Sequence, residues 1–151
     1  MRLIVIVISV SLMALTFAAT PSQADSVSGA VTEVGASCFD YDLTVENDKK
    51  GAAISSVLAF VTWTPSGLTP ECPTEPPSEA PTGWSRQFLD EGAASLLVKW
   101  EADSGKSSIK NGSLSGFIVR VEACPVSVDL WTTFKKNGVQ TATGSFVIPC
   151  P

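Results

Sequence analysis

The sequence contains no histidine, and that absence removes most common catalytic arrangements. Ser–His and Cys–His nucleophile pairs, His-ligated zinc and the usual near-neutral general base all need an imidazole. Carboxylates, cysteines, hydroxyls and indoles are what remain. Asp40, Asp42, Glu46 and Asp48 crowd one short stretch. A calcium site needs oxygens converging on one point, whereas alternate residues of a strand diverge along a flat face, so these four read as a solvated acidic face. Paired carboxylates can hydrolyse glycosides, but among 15 acidic residues no pair stands out. The serines of 104–108 and 113–115 lie in stretches suited to turns rather than nucleophiles. Asn111-Gly112-Ser113 has the form of an N-glycosylation acceptor, and the same residues suffice as a turn. No catalytic residue, metal site or cofactor is predicted, and the chain reads as a non-enzyme.

Cysteines and tryptophans are the residues left to assign. Cys38, Cys72, Cys124 and Cys150 are not spaced as CxxC pairs, which disfavours metal and predicts two disulfides in an oxidising compartment. One pairing follows from hairpin geometry. If Asn137-Gly138 is a two-residue turn, Cys150 faces Pro125, one residue out of register with Cys124. A single bulge, placed at Gly144, brings Cys124 and Cys150 opposite each other. Cys38–Cys72 is then the second disulfide, tying a proline-rich loop to an early strand. Core and strand-end packing accounts for many tryptophans of β-sandwich folds and is the plainer reading of Trp63, Trp84, Trp100 and Trp131. Trp63 and Trp131 are the freer pair. Exposed together on one face, they would form a stacking platform for a sugar, and they are the candidate binding residues.

The N-terminus supports the disulfide reading. Met1-Arg2 carries a positive charge, Leu3–Ala19 is almost wholly apolar, and Pro21 precedes the small-residue pattern Ser22-Gln23-Ala24. This is the layout of a secretory signal peptide, residues 1–24, cut before Asp25. The Pro21 break favours removal over a membrane anchor. Removal leaves 127 residues as a single domain and, with Arg2 lost, shifts the net charge from −5 to −6. No basic run exceeds two lysines, so neither nucleic acid nor an anionic membrane has an electrostatic footprint. The predicted location is exported, extracellular or periplasmic.

From Asp25 onward the pattern is strand after strand. Phe39, Tyr41, Leu43 and Val45 alternate with Asp40, Asp42, Thr44 and Glu46, a half-buried strand followed by a turn at Asn47–Gly51. Ala53–Trp63 is almost continuously apolar and β-branched after Ser56, which predicts a central strand covered on both faces. Residues 64–83 carry six prolines and form a loop, since proline removes backbone donors and fixes φ. Trp84–Leu89 resumes a short strand, Asp90-Glu91-Gly92 turns, and Ser95–Glu101 places Leu96, Val98 and Trp100 on one face. Ile109–Ala123 is a turn feeding a strand that buries Phe117, Val119 and Val121. Val126–Phe134 and Val139–Ile148 flank Asn137-Gly138, a strong hairpin signal. About seven to nine short strands at this spacing predict an antiparallel β-sandwich.

The ordered set Tyr41-x-Leu43-x-Val45-x-Asn47, Ile54-x-x-Val57, Pro81-Thr82-Gly83-Trp84, Trp100, and Ile109 with Gly112-Ser113-Leu114-Ser115-Gly116-Phe117 resembles immunoglobulin-like β-sandwich modules of exported bacterial proteins. It is similar to NEW3-type accessory domains in particular. The resemblance spans nearly all of 25–151 and differs at Lys110-Asn111, where those modules carry a proline before the glycine. It implies an immunoglobulin-like sandwich acting as a non-catalytic structural or interaction module, and it transfers no active-site residue. A protein or glycan partner at the cell exterior is expected, met at an exposed strand edge or the proline-rich loop. A small carbohydrate-binding module using Trp63 and Trp131 is the alternative.

Overall fold

The computed structural model describes residues 25–48, 52–65 and 80–151. In chain order the strands are β1 (Ser26–Gly35), β2 (Cys38–Asn47), β3 (Ser56–Trp63), β4 (Trp84–Gly92), β5 (Ser95–Ala102), β6 (Gly112–Val121), β7 (Val126–Phe134) and β8 (Gln140–Ile148). Every pairing is antiparallel. They make a three-stranded sheet, β1-β2-β6, and a five-stranded sheet, β4-β5-β3-β7-β8. Their apolar faces meet in one core, an all-β antiparallel sandwich. No helix among the described residues is long and apolar enough to cross a membrane.

The core follows from strand alternation. Tyr41, Leu43 and Val45 of β2 are buried, as are Phe117, Val119 and Val121 of β6, which lie beside them. Facing them are Val57, Ala59 and Val61 of β3 and Leu96, Val98 and Trp100 of β5. Phe117 links the layers, edge-on to Trp84 at 5.0 Å and to Trp100 at 5.8 Å. Such aromatic pairs add about 0.5–1.5 kcal/mol each beyond simple burial. Two polar side chains pin β2. The Tyr41 hydroxyl donates to the Ala123 carbonyl at 2.8 Å, and burial pushes its pKa up to about 12. Asn47, fully buried, donates from Nδ2 to the carbonyls of Ala52 and Ile109 at 2.8 and 2.7 Å. Both satisfy backbone acceptors where the chain leaves regular sheet.

Several local readings need correction. β4 extends to Gly92, and the turn falls at Ala93-Ala94, because Asp90, Glu91 and Gly92 pair with Leu97, Leu96 and Ser95. The last hairpin has a three-residue loop, Lys136-Asn137-Gly138. Lys135 N–H donates to Val139 O, and Gly138 N–H to Lys135 O. Gly138 takes φ +76°, which glycine adopts without steric cost. The bulge that realigns the cysteines is not at Gly144 but on β7. Phe60 pairs Leu130 while Val61 pairs Val128, so Asp129 is the extra residue. Its carboxylate accepts from Thr62 Oγ1 at 2.7 Å and from Ser127 Oγ. Gly144 instead makes room for a neighbour, since an added Cβ would lie 2.7–2.8 Å from the Trp131 indole. Beyond the bulge Val126 pairs Ile148, and Cys124 and Cys150 are joined with Cα atoms 5.4 Å apart. Cys38 is fully buried. The Cys38–Cys72 pairing, the signal peptide, residues 49–51 and most of the proline-rich loop lie outside the described residues.

Candidate functional site

Two features of the sandwich present chemistry to the outside. The first is the outward face of the five-stranded sheet. β3 alternates Val57, Ala59 and Val61 inward with Leu58, Phe60 and Thr62 outward. The second sheet covers the inward set, and the outward set stays half-buried. The prediction of a strand covered on both faces therefore fails on one side. Register then aligns Leu97 of β5, Phe60 of β3 and Leu130 of β7 in one cross-strand row. Leu58 lies diagonally beside it. Leu130 is 45% exposed, and Leu89, at the irregularity in the β4 edge strand, is 47% exposed. Polar residues border the row. Asp129 holds Thr62 and Ser127, and these two hydrogen bonds lower its pKa. Lys99 pairs with Glu101 at 2.9 Å, and Thr132 meets Thr143. An apolar centre within a polar border is the layout of a protein-binding patch.

The second feature is a cleft of about 340 Å³ between the edges of β4 and β6, at the end of the sandwich where β3 finishes. Trp63, Phe88 and Leu96 form its apolar wall, and Glu91, Arg120 and Glu122 its polar one. Its lining arginine is already engaged. Arg120 binds Asp40 through two contacts, 2.6 Å and 2.7 Å, which raises the guanidinium pKa further. Arg86 stacks over Phe88 with its Cζ 4.3 Å from the ring centroid. It also donates to the Ile118 carbonyl at 3.0 Å, bracing one sheet against the other across the open side.

The structure separates the candidate stacking pair. Trp63 lines the cleft and is half-buried. Trp131 is only 7% exposed, its side chain turned inward in register with Ala59 and seated over Gly144. Trp84 and Trp100 are buried as well, so no platform of two exposed indoles forms on one face. The bulge at Asp129 explains Trp131: without the extra residue, β7 would keep strict alternation from Val128 and turn position 131 outward.

The acidic stretch is also not simply a solvated face. Asp40 is held by Arg120, Asp42 accepts the Gly116 N–H at 2.7 Å, and Glu46 accepts from Ser26 at 3.2 Å. Gly116 sits at φ +97°, and β6 gains an extra residue between the Leu43 and Val45 pairings. Asp42 therefore satisfies a backbone donor that the irregular ladder leaves over. Among the described residues no group of three or more His, Cys, Asp or Glu could hold a metal ion. The serines act as turn residues: Ser107 N–H donates to Ser104 O, and Ser107 O accepts from the Trp84 indole at 2.9 Å. Sequence periodicity missed the Leu97–Phe60–Leu130 row. The available signal was the run of apolar residues at both odd and even positions of β3, in an antiparallel sheet that no helix covers among the described residues.

No protein-family profile and no curated protein matches the sequence. The fold is similar to a cohesin module from a family 33 glycoside hydrolase of Clostridium perfringens ATCC13124. The TM-score is 0.59 and the identity 9%, over 83% of this chain and 96% of the other. At that identity the likeness concerns the fold.

Proposed function

We propose that this chain is a non-catalytic protein-interaction module of the cell exterior, and that it binds through the outward face of its five-stranded sheet. The observation that carries this is the Leu97–Phe60–Leu130 row, an apolar strip running in register across three neighbouring strands and ending at an exposed Leu130. A flat apolar centre bordered by hydroxyls and charges suits a folded protein surface better than a sugar ring, which needs an exposed aromatic face. The absence of histidine and the engagement of Asp40, Asp42 and Arg120 in structural contacts favour a role without catalysis. The likeness to a cohesin module, itself one part of a larger glycoside hydrolase, is in keeping with a module in an exported assembly. An immunoglobulin-like, NEW3-type affiliation belongs to the same reading, as does the second disulfide, Cys38–Cys72.

The test is capture of extracellular proteins and of polysaccharides from the source by the immobilised protein, with and without Leu130→Asp. The reading expects protein capture that falls at least about tenfold in the variant, an unchanged melting temperature, and no polysaccharide retention. Polysaccharide retention lost on Trp63→Ala would transfer the function to the end cleft and favour the carbohydrate-binding alternative.

A further inference from the structure

The cleft at the β3 end of the sandwich encloses about 340 Å³, within the range of about 300–1,000 Å³ in which proteins hold small ligands. Its wall is aromatic and aliphatic where Trp63, Phe88 and Leu96 meet, and its rim is acidic. Glu91, on β4, approaches from the five-stranded sheet, and Glu122, the residue after β6, from the three-stranded one. Both are exposed, and neither takes part in a salt bridge or hydrogen bond among the described residues. The lining also carries Arg120, but Asp40 holds that guanidinium through two contacts. The cleft therefore shows net negative charge beside a π-rich surface.

Few ligand classes use both properties. An anion meets two carboxylates and a guanidinium that is already paired. A bare metal ion such as calcium needs about six or more oxygens, which two rim carboxylates and an apolar wall do not supply. A neutral ligand uses the wall and not the charge. A primary ammonium is compact and strongly hydrated, so the wall offers it little in exchange for water. A quaternary ammonium uses everything present. Its methyl groups pack on aromatic carbon, while its charge is drawn to the ring quadrupole and to the nearby carboxylates. The molecule already makes a contact of this kind, with Arg86 Cζ 4.3 Å from the Phe88 ring centroid. Arg86 does not line the cleft, so Phe88 meets the cleft with surface that this guanidinium leaves uncovered.

We propose that the end cleft is a binding site for a small quaternary ammonium ligand of the choline type. Trp63 and Phe88 form its aromatic wall, and Glu91 and Glu122 supply the counter-charge. Asp40 acts at one remove, because pairing with Arg120 offsets the positive charge that would repel the ligand. The cleft shares no residue with the Leu97–Phe60–Leu130 row. It gives the module a ligand of its own and does not extend the protein-binding face.

The experiment expresses the full chain in a secreting host, titrates choline into the recovered protein and follows the indole N–H signals by NMR. The Trp63 signal, identified by its loss in Trp63→Phe, is expected to shift and to saturate. Two comparison ligands separate charge from shape. Ethanolamine keeps an ammonium and lacks the methyl groups, while the carbon isostere of choline keeps the shape and lacks the charge. Each is expected to bind at least about fivefold more weakly than choline. Phe88→Leu, at an exposed position, is expected to weaken choline about threefold. Glu91→Gln combined with Glu122→Gln is expected to do the same, and added salt should weaken binding to the parent more than to this double variant. No saturable shift at Trp63 overturns the site. Equal affinity for the isostere, or undiminished affinity in the double variant, overturns recognition by charge. Equal affinity for ethanolamine overturns the quaternary ammonium. Leu130→Asp is expected to bind choline as the parent does, which keeps this result separate from partner capture by the outward sheet face.

Discussion

The two outward faces of this sandwich use their side chains in opposite ways. On the three-stranded sheet, β2 and β6 point Asp40, Asp42, Ile118 and Arg120 outward, and the charged members bond within the sheet. Asp40 and Arg120, directly opposite in register, form a bidentate pair with both side chains 12% exposed. Asp42 satisfies the backbone at the Gly116 irregularity. On the five-stranded sheet the same positions relative to the core hold Leu97, Phe60 and Leu130, whose partners within the molecule are one another. A face that satisfies itself contributes to stability, and a face that leaves apolar surface in water is available for association. The difference locates the proposed interaction without any reference to a ligand.

The largest test of that contrast is a pair of substitutions. Asp40→Ala removes the bidentate partner of a largely buried guanidinium and is expected to destabilise by about 3 kcal/mol. Leu130→Ser on the other sheet should stay within about 0.5 kcal/mol, as exposed positions do. Urea unfolding of the two variants checks both, and equal losses would erase the distinction between the faces. The next effect concerns Tyr41, on the inner side of the three-stranded sheet. Unfolded, it ionises near pH 10; folded, burial raises its pKa to about 12. The raised value means its contribution is complete below pH 10 and is lost as pH rises toward 12, at up to about 1.4 kcal/mol per pH unit. Thermal melts across that window should show the decline, and Tyr41→Phe should flatten it while lowering stability at neutral pH by about 1–2 kcal/mol through the unpaired Ala123 carbonyl. The smallest effect is at Asp129, bordering the apolar row. Its pKa is lowered by Ser127 and Thr62, so its contribution is present above the ordinary carboxylate range and fades as pH falls through the lowered value. Acid titration of the melting temperature should be slightly shallower in Asp129→Asn.

Strand alternation carried much of the fold. β2, β5 and β6 each announce their buried face every second residue, and Phe117, Val119 and Val121 lie where that period puts them. Turn residues marked the last hairpin but left its loop length open, because Asn-Gly fits both a two-residue turn and the last two positions of a three-residue loop with a left-handed glycine. The candidate site was less legible. Trp63 and Trp131 are equivalent in sequence, and the bulge at Asp129 turns one of them into the core. A bulge of that kind has no required residue type, since it depends on what two neighbouring strands leave unpaired.

Composition and local pattern alone therefore determined that this is an all-β chain with no imidazole chemistry, an acidic surface and an even set of cysteines. Those properties depend on residue identity and on neighbours two positions away. Tertiary structure decided which sheet each strand joins, and hence that Asp40 meets Arg120 across 80 residues while Phe60 meets Leu97 and Leu130. It also decided that, among the described residues, no helix covers the apolar outward face of β3. Hydrophobicity along a strand reports how much apolar surface a residue has to offer, and only the arrangement of the other strands determines whether that surface is taken up.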